Sequence, residues 1–154
     1  MYKINVQTEP FDAGKEITLL TEGRAEIGAI TSFIGLVRDF NERPEVKALT
    51  LEHYPGMTEL QLNKISQEAQ ERWPLLGIRI IHRVGRLEPS DPIVLVIVAS
   101  AHRQAAFDSC NFIMDFLKTQ APFWKKEHTS SGDYWVSSRV SDTQAADKWR
   151  VEYD

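Results

Sequence analysis

An α+β fold with a mainly antiparallel sheet and two main helices is predicted by this sequence, and three observations carry the expectation. The run Ile93-Val94-Leu95-Val96-Ile97-Val98 is continuously apolar, as in a strand covered on both faces, and marks the centre of a sheet. Strand-like segments come in neighbouring pairs broken by turn residues, which favours antiparallel partners. Only Thr58 to Trp73 and His102 to Thr119 carry the apolar period of a substantial helix.

Taken in order, Ile27 to Val37 mixes β-branched and small residues and reads as a strand, followed by a polar loop, Asp39 to Glu45. Val46 to Tyr54 alternates and stops at Pro55-Gly56, so it reads as a second strand, expected to pair with the first as a hairpin. Thr58 opens a helix with Gln61 three residues on, the spacing of a capping box, and Trp73-Pro74 closes it. Ile78 to Val84 and Ile93 to Ala99 are two further strands. The long helix from about His102 is stopped by Pro122; Tyr134 to Arg139 can form a last strand before a short polar helix, Thr143 to Arg150.

With 154 residues and 42% hydrophobic content the chain is expected to fold as one domain, residues 1–154. The first ten residues lack a secretory pattern and the longest apolar run is far too short to span a bilayer, so a cytoplasmic protein without membrane contact is expected. The four histidines show no i, i+4 pairing and Cys110 stands alone, so no metal site, disulfide or cofactor is anticipated; phosphate-binding glycine loops are also missing. Cys110, between apolar neighbours, reads as a small buried hydrophobe.

The chemistry concentrates from Arg79 to Lys126, where seven Lys/Arg stand against four acids in a chain of net charge -4. Local positive charge on an acidic protein suits a small anion or a carboxylate tail; a long nucleic acid is disfavoured, even with Phe123 and Trp124 available for stacking. At about 100° per residue Arg103, Phe107, Cys110, Met114 and Lys118 form one helical stripe, apolar in the middle and cationic at both ends. Such a stripe either packs into the core with its charged ends reaching water, or lines a site for a flat anionic ligand. Backbone N–H groups near His102 and Arg103 favour an anion as well.

At these residues the chain resembles the large, catalytic subunit of molybdopterin synthase. The likeness is carried by Gly35-Leu36-Val37-Arg38, the run Leu49 to Glu59, Ile81-His82-Arg83-Val84-Gly85, Ser100-Ala101-His102-Arg103 and the run Phe112 to Glu127, in family order along nearly the whole chain. The resemblance implies an α/β-hammerhead core with an added β region, and a homodimer carrying a small ubiquitin-like sulfur carrier at each end, a heterotetramer. It implies transfer of two sulfurs from the carrier's C-terminal Gly-Gly thiocarboxylate to cyclic pyranopterin monophosphate, forming the dithiolene of molybdopterin. By position, Lys118 and Lys125 match the catalytic lysines. Arg38, His102 and Arg103 match the anion pocket, Leu36 and Val37 precede its arginine, and Lys126 and Glu127 extend its wall. Phe33, Met114 and Arg139 are further wall residues, Arg139 as a contribution across the dimer. Leu36 stands where relatives carry a lysine, so a backbone contact is expected from it. The competing expectation is a non-catalytic module that captures the tail of a ubiquitin-like protein.

Overall fold

The computed structural model describes residues 1–38, 46–136, 144–147 and 149. The elements are β1 (Tyr2–Gln7), α1 (Ala13–Thr21), β2 (Ala29–Leu36), β3 (Val46–His53), α2 (Met57–Arg72), β4 (Leu75–Arg83), β5 (Gly85–Leu87), β6 (Pro92–Ser100), α3 (Arg103–Gln120), β7 (Phe123–Thr129) and β8 (Gly132–Val136). Residues 144–147 are helical. The polar loop expected at Asp39 to Glu45, the end of the last strand with Arg139, and Thr143, Lys148 and Arg150 of the C-terminal helix lie outside the described residues.

Two four-stranded sheets form, in the orders β1-β4-β6-β2 and β5-β3-β7-β8. Among the described strands only the β1–β4 pair is parallel, so the mainly antiparallel α+β expectation holds. The apolar run of β6 lies inside the first sheet. Its Val94, Val96 and Val98 face a core shared with Leu62, Ile65, Phe112 and Ile113 of α2 and α3. Its Leu95, Ile97 and Ala99 face Leu20 of α1 on the opposite side. Period-two alternation thus supplies both cores from one strand.

The expected hairpin between the segments at 27–37 and 46–54 does not form. β2 pairs with β6, from Ala29↔Ser100 to Leu36↔Pro92, and β3 joins the other sheet between β5 and β7. The long link between them releases the strand from its chain neighbour, and the buried β6 ladder takes it instead. The helix start also differs: Gly56, at φ 85°, is the N-cap of α2, and its N–H donates to Glu59 Oε2 at 2.6 Å. A left-handed residue there favours glycine. Thr58 is buried and its hydroxyl donates to the Pro122 carbonyl at 3.1 Å, tying α2 to the link after α3.

Strands β1, β5 and β7 and helix α1 add to the elements read from sequence. Helix α1 is docked by charge as well as by Leu20: Arg79, almost fully buried, donates to Glu16 Oε2 at 2.8 Å and to Asn5 Oδ1 at 2.9 Å. Arg83 is buried too, donating to the carbonyls of Thr8 and Pro92. Two cations of the basic run are therefore consumed by the fold, leaving the others to form a site. Among the described residues no helix is long and apolar enough to cross a membrane.

Candidate functional site

Helix α3 leaves β6 at Ser100, turns back along it and packs on β6 and β2. Its inward positions, Ala106, Ser109, Phe112, Ile113, Phe116 and Leu117, are buried. The stripe anticipated from sequence lies beside this core face: Phe107 is 60% exposed, Met114 is half-buried and Lys118 is exposed. Together with Thr31, Ser32 and Phe33 of β2, the side chains from Phe107 to Lys118 line a cavity of about 320 Å³. Cys110 and Met114 belong to both, and Cys110 is the more deeply covered, with 5% of its surface exposed. Burial pushes its thiol up to about 11, so at neutral pH it is protonated and a poor nucleophile.

Gly35 shapes the β2 wall, since a Cβ there would lie 2.7 Å from Val94 Cγ1 and 3.3 Å from the Phe33 ring. The register shifts between Gly35 and Leu36, and such a bulge re-aims the residues that follow it. Leu36 then points to solvent, and Arg38 is exposed. Val37 is buried among Leu49, Leu51 and Leu87, with its N–H given to Asp91 O and its carbonyl accepting from Ser90 N. Its side chain has no route to a ligand; what it does is fix the base of Arg38.

Past α3, the Ala121-Pro122 link leads into β7, where alternation sorts the charged run onto two faces. Phe123, Lys125 and Glu127 lie opposite His53, Leu51 and Leu49, while Trp124, Lys126 and His128 lie opposite Glu52, Thr50 and Ala48. Phe123 marks the inner face, packed against the core and stacked on the buried His82 ring at 3.9 Å and 18°. Lys125 shares that face. Lys126 does not: its Nζ sits 4.7 Å over the ring of Trp135 on the outer side. The pocket wall that the resemblance implied for Lys126 and Glu127 is therefore split, with Glu127 alone on the side of Lys125.

Lys118, in the last turn of α3, and Lys125, in β7, both act on His82 through their charges. Burial holds that imidazole down at about 4, and the positive charges of Lys118, Lys125 and His53 push in the same direction. Sequence reasoning gave His82 no role, although it stands in the Ile81-to-Gly85 segment that carries the resemblance and follows the apolar pair Ile80-Ile81 of β4.

His102 and Arg103 lie elsewhere. His102 is the N-cap of α3 without a side-chain cap, no acid occupies the first turn, and both residues are exposed. The N-terminal end of α3 is thus open to an anion. From Arg103 to Lys118, however, the helix rises about 22 Å, more than a small phosphate ester spans. Register places Leu36, and hence Arg38, at the Pro92 end of β6 with Lys118, and places Ala29 at the Ser100 end with Arg103. Within one copy the candidate cations form two groups.

Residues 6–120 match the family model described as MoaE protein. The chain is 59% identical over 146 residues to the molybdopterin synthase catalytic subunit of Pseudomonas aeruginosa, covering 95% of this chain and 97% of that protein. Among solved structures it is similar to the molybdopterin biosynthesis MoaE protein of Burkholderia ambifaria, with TM-score 0.83 and 49% identity over 97% of this chain and 98% of that one. It is also similar to molybdopterin synthase from Staphylococcus aureus, with TM-score 0.78 and 31% identity over 86% of this chain and 95% of that one.

Proposed function

The chain belongs to the MoaE protein family, and from that premise we propose that it is the catalytic subunit of molybdopterin synthase. It transfers sulfur from the C-terminal thiocarboxylate of a small ubiquitin-like carrier to cyclic pyranopterin monophosphate, in the cytoplasm. The observation that carries the assignment of chemistry is Lys118 in the wall of a partly apolar cavity, with Lys125, from a different element, acting through its charge on the same buried imidazole.

The cavity walls, Phe33 and Met114, suit a slender tail delivered toward Lys118. There the ammonium group orients and polarises the acyl–sulfur group, and Lys125 acts as proton donor or acceptor while the precursor ring opens. In each transfer a carbon–sulfur bond forms on the precursor and an oxygen leaves; water then cleaves the acyl–sulfur bond, returning a carboxylate to the carrier. Sulfur arrives on a partner's tail, which agrees with a protonated, buried Cys110.

The separation along α3 bears on assembly. Arg38 and Lys118 stand at one end of the sheet, and His102 and Arg103 about 22 Å away. A single precursor molecule meets both groups only if a second copy of the chain supplies one of them, which is the reading we adopt: a homodimer with composite sites, and one carrier at each. Arg139 is assigned here to the same composite wall.

Reconstitution tests the whole reading. The purified chain, mixed with thiocarboxylated carrier and cyclic pyranopterin monophosphate, is expected to yield a dithiolene product. Binding of the carrier tail with no product from the intact chain would overturn the reading in favour of a tail-capturing module.

A further inference from the structure

Away from the lysine site, one group of side chains has the order of a nucleophile, a base and an acid. Thr50 lies on β3, His128 near the end of β7 and Asp133 on β8. Thr50 Oγ1 stands 2.6 Å from His128 Nε2, and His128 Nδ1 stands 2.9 Å from Asp133 Oδ1. A carboxylate only accepts, so Nδ1 carries the hydrogen; in the neutral ring Nε2 then keeps the lone pair and receives the hydroxyl proton of Thr50. Water can satisfy a half-buried hydroxyl. Here its proton is aimed at a base that a carboxylate orients, the arrangement that activates a nucleophile.

Two cations flank the threonine. Leu49 and Leu87 share an apolar core, so Thr50 and Arg86, which pair across β3 and β5, face the opposite side of the sheet. Lys126 pairs with Thr50 from the other side, and the exposed Trp135 pairs with Lys126 beyond it. Glu52, two residues along the same face, lies opposite Trp124 and leaves the flanks of Thr50 to the cations.

We propose that Thr50, His128 and Asp133 form a second reactive centre, which takes an acyl group from a small ester bearing negative charge. It draws nothing from the sulfur-transfer reading, since Lys125 lies on the other face of β7. Thr50 Oγ1 attacks the ester carbonyl while its proton passes to His128 Nε2; the carbon–oxygen bond of the ester breaks, and the departing alcohol takes that proton. Water, activated by the same nitrogen, then releases the acid and restores the hydroxyl. Arg86 and Lys126 supply positive charge for the anionic substrate and for the oxyanion formed on attack. Asp133 is a positioning residue: it fixes the tautomer of His128 and does not touch substrate.

The test mixes the intact chain with the p-nitrophenyl half-ester of succinic acid, quenches with acid and locates the acyl group by peptide mass mapping. Release of p-nitrophenol with a succinyl group on Thr50 is expected in the wild type. Thr50→Val should remove that ester and Thr50→Ser restore it, and His128→Gln should slow acylation of Thr50 about a hundredfold or more. Asp133→Asn is expected to lower the maximal rate about tenfold or more, while the ester concentration giving half of that rate stays within about twofold. Succinylation confined to amines in the wild type would overturn the proposal without reference to any variant. Equal rates at Thr50 in the wild type and His128→Gln, or a full maximal rate in Asp133→Asn, would overturn the relay.

Discussion

At the N-terminal end of α3, His102 and Arg103 stand in solvent beside N–H groups that no side chain caps; at the C-terminal end, the charges of Lys118 and Lys125 both act on an imidazole buried in the core. Both ends are cationic, but the surroundings assign them different work. The open end has the positive pole of the helix and full hydration, which suits reversible capture of a phosphate. The other end has the negative pole, which favours the Lys118 cation, together with an apolar floor where a proton or a charge is felt strongly. The proposed function puts binding at the wet end and chemistry at the end where exposed lysines stand near a dry imidazole, and a second copy of the chain would bring two such ends onto one substrate.

Breaking the dry end gives the largest expected effect. Lys118→Ala should lower product formation by about a hundredfold or more, the scale of a lost electrostatic or acid–base group, while the fold keeps its stability within about 0.5 kcal/mol. Near wild-type turnover by this variant would remove Lys118 from the mechanism.

The dry end also carries a pH signature. His82 falls from an ordinary value of 6.5 to about 4 on folding, so the unfolded chain binds its proton first. The stability difference is absent above about pH 6.5, grows as pH falls, and reaches up to about 3 kcal/mol near pH 4. Denaturant melts of wild type against His82→Phe should show that slope in the wild type alone. A parallel pair of curves would mean the imidazole is hydrated in solution.

Arg103→Ala tests the wet end and should weaken precursor binding by about 1.5 to 3 kcal/mol in calorimetry. Mixing it with Lys118→Ala sharpens the comparison. If each site takes Arg103 from one copy and Lys118 from the other, half of the randomly re-formed dimers contain one intact site of two, and activity returns to about a quarter of wild type. No recovery would place both residues in one copy's site.

The smallest effect belongs to Lys126→Met. Lys126 faces Trp135 on the outer side of β7, so the loss should be a cation–π contact of about 0.5 to 1 kcal/mol in stability, with the transfer rate within about threefold of wild type. A large rate loss would mean that the outer face takes part.

Much of the fold was legible because period and punctuation are local. The six apolar residues of β6, the stop at Trp73-Pro74 and the stripe from Arg103 to Lys118 all appear where sequence put them. Strand β7 was missed because its charges, Lys125, Lys126 and Glu127, mask the alternation that its pairing reveals. Helix α1 was missed as well, although Asp12, whose carboxylate accepts from Lys15 N at 3.0 Å, gave a start signal. For the site, the resemblance put forward Lys118, Lys125, Arg38, His102 and Arg103, while the burial of His82 had no sign in the sequence, since a lone histidine in a strand carries no period.

The sequence by itself determined which residues are apolar, where the two long helices stop, and the family to which the chain belongs, because these depend on residues near one another along the chain. A helix running from Arg103 to Gln120 even sets the distance between its two cationic ends. Tertiary structure alone decided that β2 leaves β3 for β6, that Arg79 and Arg83 are spent inside the fold, that Lys125 and Lys126 part to opposite faces, and that His82 is buried against Phe123. Each of these turns on which distant segments share a ladder or a core, and on the burial that follows, quantities that no local pattern contains.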